Sequence, residues 1–243
     1  AEEAQYLGLQ DGQTRYFHQK QAYGDRLTTR IGMLDGGLEQ LSLASQIAMP
    51  GLAKQSLGAK STFNSLLDTA AFADLSYQLD DKFKLVAQSR TEAEGLGLQT
   101  AKSTKRRSSL GLEADLERAR IGFSVGQLSE SQGLLGSEFA EPLADFEALN
   151  TLTFDANLEY QANATWGLEG AFSLGLGEDQ KTQGLVTQVS DVKSTAASLS
   201  LVAKNLGRQP AGRQSLTKIS VSQPLAVTSG KMHYDKPTAR SID

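Results

Sequence analysis

The 243-residue chain contains no cysteine, two histidines and one tryptophan. Without cysteine it has no disulfide framework, no thiolate zinc site and no cysteine nucleophile. Neither His18 nor His233 stands in a metal-ligand spacing such as HExxH, and both read as exposed strand or loop residues. An excess of positive charge is also missing. The 24 Lys and Arg are outnumbered by 28 Asp and Glu, so the basic face a nucleic-acid binder needs is absent. Hydrophobic residues make up 39% of the chain, and no run approaches the roughly 18 to 20 apolar residues of a transmembrane helix. A membrane-spanning strand is a different case, because it shows only alternate residues to lipid. No signal peptide is visible at Ala1, so an exported form would have lost it or carry it upstream.

What the sequence does have is strict two-residue alternation over strand-length runs. Leu75, Tyr77 and Leu79 alternate with Asp74, Ser76 and Gln78, and Phe83, Leu85 and Ala87 follow after Asp80-Asp81-Lys82. A three-residue loop there sets Tyr77 opposite Leu85. In a second pair, Leu110, Leu112, Ala114 and Leu116 precede the turn Glu117-Arg118, and Ala119, Ile121, Phe123 and Val125 follow it. A third pair has Leu152, Phe154, Ala156, Leu158 and Tyr160, a turn at Gln161-Ala162-Asn163, then Trp166, Leu168, Gly170, Phe172 and Leu174. A looser fourth pair joins Ala197, Leu199, Leu201 and Ala203 to Thr217, Ile219 and Val221.

Connections within the first three pairs are short. Those between pairs, at Thr91–Arg107, Ser129–Asn150 and Gly177–Lys193, are long and polar. Antiparallel order therefore collects short turns at one end and long loops at the other. A soluble sandwich explains the alternation equally well but not this one-sidedness, which is characteristic of outer-membrane barrels. The fold expected is all-β, an up-and-down array of antiparallel hairpins forming an outer-membrane-type barrel, complete or incomplete. We expect one domain over 1–243, with strands or linker in 1–68 and the hairpin region in 69–243. In the first part, Leu27–Met33 and Leu38–Gln46 suggest a hairpin, and Met49–Asp68 suggests a short helix, linker or loop.

The polar faces carry Asp74, Glu113, Asp115, Arg120, Asp155, Glu159 and Lys218, the candidate lumen-facing residues. A charged barrel interior and a solvated sheet face both fit them. Tyr77, Phe123, Phe154, Tyr160, Trp166 and Phe172 are candidates to meet lipid or a partner, with Tyr160 and Trp166 placed for an interfacial girdle. The run Lys102-Ser103-Thr104-Lys105-Arg106-Arg107 reads as a loop, where Lys102, Lys105, Arg106 and Arg107 fit contact with an anionic partner or a solvated surface. No pair of acids is singled out for glycoside hydrolysis. No cofactor, metal or catalytic residue is expected.

One stretch, Gly126-Gln127-Leu128-Ser129-Glu130 followed by Leu134-Leu135-Gly136-Ser137, resembles the C-terminal domain of subtilisin-family (S8) autotransporter-like serine peptidases. Thr151–Gly175, with Trp166-x-Leu168, is similar to the hairpin that follows in that family. Ser220-Val221-Ser222-Gln223-Pro224-Leu225-Ala226-Val227-x-Ser229-Gly230 resembles its Val-Ser-Gln-Pro-Leu-Arg-Val-x-x-Gly segment, with Ala226 in place of the usual Arg. The resemblance covers roughly Leu110 to Gly230. It implies a translocator-like barrel of the Gram-negative outer membrane that anchors or exports an N-terminal passenger. The peptidase's His-Gly-Thr-His and Gly-Thr-Ser-Met contexts are missing, so the chain is not expected to be an enzyme. Expected partners are outer-membrane lipid and a passenger or envelope protein, not nucleic acid. The alternative is a structural or binding protein of a periplasmic or cell-surface assembly that packs its apolar face on partners.

Overall fold

A computed structural model describes residues 2–8, 14–35, 61–67, 69–92, 104–131, 133–138, 148–182, 184–204 and 216–235. It is almost entirely antiparallel β-sheet. The strands are β1 (Glu2–Gly8), β2 (Thr14–Tyr23), β3 (Leu27–Asp35), β4 (Thr69–Gln78), β5 (Phe83–Glu92), β6 (Lys105–Asp115) and β7 (Ala119–Glu130). After the short strands β8 (Gly133–Leu134) and β9 (Ser137–Glu138) come β10 (Leu149–Gln161), β11 (Trp166–Gly177), β12 (Gln180–Lys181), β13 (Val186–Lys204) and β14 (Leu216–Tyr234). Each long strand pairs with its sequence neighbours, β8 and β9 forming a separate small hairpin. Among the described residues the sheet is open between β1 and β14. Counting the long strands in order, these two edges run in the same direction.

The turn arithmetic is met where alternation is strictest. Tyr77 pairs with Leu85, and Leu116 exchanges backbone hydrogen bonds with Ala119. Asp80 makes the β4–β5 turn, its carboxylate accepting from the Lys82 and Phe83 amides, each at 2.8 Å. The turn between β10 and β11 is longer than expected. Gln161 still pairs with Gly167, leaving Ala162–Thr165 as the turn, because the Asn163 side chain accepts from the Thr165 and Trp166 amides at 2.9 Å. These turns and Gly24–Arg26 lie at one end of the sheet, opposite the connections from β3 to β4, β5 to β6, β7 to β10 and β11 to β13; the connection from β13 to β14 is on the short-turn side.

Two readings of the sequence are corrected. Leu27–Asp35 is not the first strand of a hairpin with Leu38–Gln46, which lies outside the described residues. It pairs back onto β2 through a turn in which Gly24 has φ +64°, and forward onto β4. The strands also extend into two expected loops: β5 runs to Glu92 and β6 starts at Lys105 within 91–107, and β13 starts at Val186 within 177–193. Strands β1–β3 pair into the same sheet as the hairpin region.

The fourth pair forms with strands of 19 residues each. Its register shifts between Thr195 and Ala197, opposite Pro224 and Leu225. Proline has no N–H to give the ladder, so an edge strand with a local irregularity accommodates it.

Burial is reversed relative to a water-soluble sheet. The buried side chains on β4 to β13 include Asp74, Gln88, Arg90, Lys105, Arg107, Glu113, Ser124, Thr153, Asp155, Asn157, Ser173 and Ser200. The exposed ones include Leu75, Leu85, Leu110, Leu112, Phe123, Val125, Phe172, Leu199 and Leu201. The sheet therefore curls with its polar face inward. At its long-loop end the inner face turns apolar, with Leu134 and Leu149 packed with Val189 and Val192.

Candidate functional site

The inner face is organised by charge pairing between neighbouring strands. At the short-turn end Arg120 reaches across β7's two neighbours, 3.0 Å from Glu159 on β10 and 3.8 Å from Glu113 on β6. Glu113 also meets Lys84 at 2.8 Å. On either side of this group, Arg30 Nε donates to Asp74 at 3.0 Å, and Lys218 lies 2.9 Å from Glu169. Arg30 additionally sits over the Phe72 ring, 5.3 Å from its centroid. Buried charges need partners, because desolvation costs several kcal/mol per ion. Here each acid on one strand has a base on a near strand.

Nearer the long-loop end, Arg107 and Asp155 form the centre of a second network. Arg107 Nη2 lies 2.7 Å from Asp155 Oδ2, with Ser124 Oγ also 3.4 Å from that oxygen. The other carboxylate oxygen accepts from Ser173 Oγ at 2.6 Å and from Ser61 Oγ at 2.7 Å. Arg107 Nη1 donates to Asn64 Oδ1 at 2.8 Å. Ser61 and Asn64 are not wall residues. They come from Ser61–Leu67, the segment that enters β4, whose Thr62–Leu66 part is a single 3-10 turn.

This segment lies inside the curl. Its backbone hydrogen bonds fold back on themselves, with the Asn64 amide donating to Ser61 O at 3.0 Å and the Leu67 amide to Asn64 O at 3.2 Å. Side chains carry its contact with the wall. Phe63 is completely buried against β11, and Gly175 is what admits it: a Cβ at Gly175 would come 2.8 Å from the Phe63 ring. Leu66 reaches the β8–β9 turn at Gly136.

The β8–β9 turn has its own support. Leu135 and Gly136 have φ of +50° and +84°, the mirror-image geometry of a two-residue hairpin loop. The Glu130 carboxylate accepts from both amides, at 2.7 and 2.8 Å. Glu130 and the Leu-Leu-Gly-Ser stretch are thus the two halves of one folded-over turn beyond the end of β7. Neither alternation nor turn counting reveals this, because the contact depends on a buried carboxylate five and six residues away.

Of the candidate inward residues, Asp74, Glu113 and Asp155 are buried on the inner face, and Arg120, Glu159 and Lys218 are partly covered in ion pairs. Asp115 shares their alternation but is mostly exposed at the rim, 3.8 Å from Arg120. Tyr77, Phe123, Tyr160, Trp166 and Phe172 are exposed on the outer face, and Phe154 is half-buried there. A shallow groove of 470 Å³ runs among Leu85, Leu110, Leu112, Phe123, Phe154 and Phe172 on that face. The basic run is corrected. Lys105, Arg106 and Arg107 belong to β6 rather than to a loop, so alternation sends Lys105 and Arg107 inward, where Lys105 lies 3.7 Å from Glu92. Arg106 alone of the three is exposed, and Lys102 lies outside the described residues. His233 is exposed on β14; His18 is a β2 residue paired with Gly32.

Among the described residues no group of three His, Asp or Glu is arranged to hold a metal ion, and no helix is long and apolar enough to cross a membrane. No protein-family model matches the chain, and no curated protein matches it.

Proposed function

We propose that this chain is a non-catalytic transmembrane β-barrel region of a bacterial outer-membrane protein, similar in role to an autotransporter translocator that anchors or exports an N-terminal passenger. The observation that carries the reading is the inversion of burial: Arg107 and Asp155 are 1% exposed while Leu110 and Phe123 are 62% exposed. In water, each exposed apolar side chain forfeits about 1.5–3 kcal/mol of burial free energy. Lipid removes that cost, and water in the interior solvates the rest of the polar face. Strands β4 to β7, β10 and β11 are 10 to 13 residues long, enough to cross a hydrocarbon layer of about 30 Å when tilted. The translocator role itself rests on the family resemblance.

The experiment is reconstitution of the full chain into vesicles, with partitioning, protease protection and the heat-dependent shift on an SDS gel as readouts. Insertion together with a heat shift is expected. Leu110→Arg, at mid-height on the outer face, is expected to weaken insertion by about 2–4 kcal/mol, as charges facing lipid do. A chain that stays monodisperse without detergent and ignores Leu110→Arg overturns the reading in favour of an envelope protein that packs this face on partners. The passenger role is tested separately, by whether a tag placed before Ala1 becomes accessible at the surface of intact cells.

A further inference from the structure

We propose that Ser61–Leu67 is an internal plug, and that the barrel conducts small hydrophilic solutes when the plug leaves its seat. This rests on the membrane-barrel reading and adds a transport activity to it.

The segment sits on the inner face, inside the curl. Its contacts fall on three different strands: Asn64 with Arg107 on β6, Ser61 with Asp155 on β10, and Thr62 Oγ1 with Ser173 Oγ on β11 at 3.4 Å. With β7 these are four successive strands, so the segment lies across that stretch of the concave face, where Phe63, Asn64 and Leu67 are almost wholly covered. Leu66 beside Gly136 extends the contact to the folded-over β8–β9 turn.

The attachment is also separable from the wall. The wall's own ion pair, Arg107 with Asp155, is complete without the segment, and Asp155 keeps Ser124 and Ser173 when Ser61 departs. The segment in turn satisfies its own backbone by its 3-10 turn. It is held by side-chain hydrogen bonds and by one aromatic ring seated over a glycine, not by strand pairing. Such a unit has two self-consistent positions, the requirement for a gate.

The wall lining predicts what passes. Acids and bases alternate around the inner face in pairs: Arg30 with Asp74, Lys84 with Glu113, Arg120 with Glu159, Lys218 with Glu169. A lining neutralised pair by pair favours neither sign of charge, so small polar solutes and both ions of a simple salt are the class expected.

The absence of native cysteine makes the test clean. Thr62→Cys/Ser173→Cys places the two thiols where the hydroxyls now approach, so oxidation tethers the plug to β11. Ser61→Ala/Asn64→Ala removes the plug's two shortest polar anchors, leaving Thr62 with Ser173 and every wall charge in place. Each full-chain variant is inserted into planar bilayers in potassium chloride, with the heat shift recorded on the same preparation. Single-barrel conductance of the oxidised cysteine variant is expected to stay near the closed level and to rise on reduction. The open fraction of Ser61→Ala/Asn64→Ala is expected to exceed that of the unaltered chain by roughly tenfold. Equal conductance in all forms, in barrels that insert and show the heat shift, overturns the plug and leaves the barrel reading intact. Failure of every form to insert overturns both.

Discussion

Arg107 on β6 and Asp155 on β10 pair at 2.7 Å across the intervening strand β7, each side chain 1% exposed. Neighbouring strands lie about 4.8 Å apart, so strands two apart are separated by nearly 10 Å. Only a long side chain bridges that gap. It is bridged over small residues of β7, Ser124 and Gly126. A Cβ at Gly126 would come 2.8 Å from the Ser109 side chain and 2.9 Å from Thr153 Oγ1.

Because the pair is buried and shared, losing one partner is worse than losing both. Arg107→Met or Asp155→Leu alone is expected to cost about 3–5 kcal/mol, since each strands a charge. The double variant is expected to lose clearly less than the sum. Urea midpoints of the folded form, read as the heat-shifted gel band, decide this. Strict additivity would mean the two groups do not act on each other.

Glu130 offers a second test on a different device. Its carboxylate serves the Leu135 and Gly136 amides, both held at positive φ. Glu130→Ala leaves those donors facing a covered site, at a cost of about 1–3 kcal/mol. Limited proteolysis is expected to cut first between Ser131 and Glu138 in the variant. An unchanged cleavage pattern contradicts the bracing role.

The Asp80 turn gives a pH dependence. The Lys82 and then the Phe83 amides hold its carboxyl below the ordinary value of 3.8. A depressed folded value means the stabilisation is complete above the unfolded value and is lost as pH falls through the folded one. The β4–β5 turn is therefore expected to be insensitive near pH 5 and to weaken as pH falls below 3.8. Asp80→Asn keeps an acceptor oxygen but cannot titrate, so the Asp80-dependent part of the loss vanishes. Amide exchange of Lys82 and Phe83 across that range, in both forms, is the measurement. Identical profiles count against the assignment.

The β4–β5 and β6–β7 hairpins were readable residue by residue, because strand alternation and a short turn together leave a single register. Tyr77 against Leu85 and Leu116 against Ala119 needed no other information. The β10–β11 turn was misread, as Gln161–Asn163 instead of Ala162–Thr165, because the Asn163 side chain, rather than strand spacing, sets its length. The basic run was misread for a related reason. Three adjacent cations look like a solvated loop, yet β6 gives two of them to the interior and one to the outside.

By itself the sequence determined that this protein is an antiparallel sheet with one apolar and one polar face and with its tight turns gathered at one end. A period of two is symmetric under exchange of the faces, so it says nothing about which face is covered. That was decided by the tertiary structure, in which the sheet curls toward its charges and Ser61–Leu67 folds in against them. The contacts responsible, Arg107 with Asp155 and Asn64, join residues 43 to 48 positions apart. Pairings of that kind arise only when the strands are already side by side.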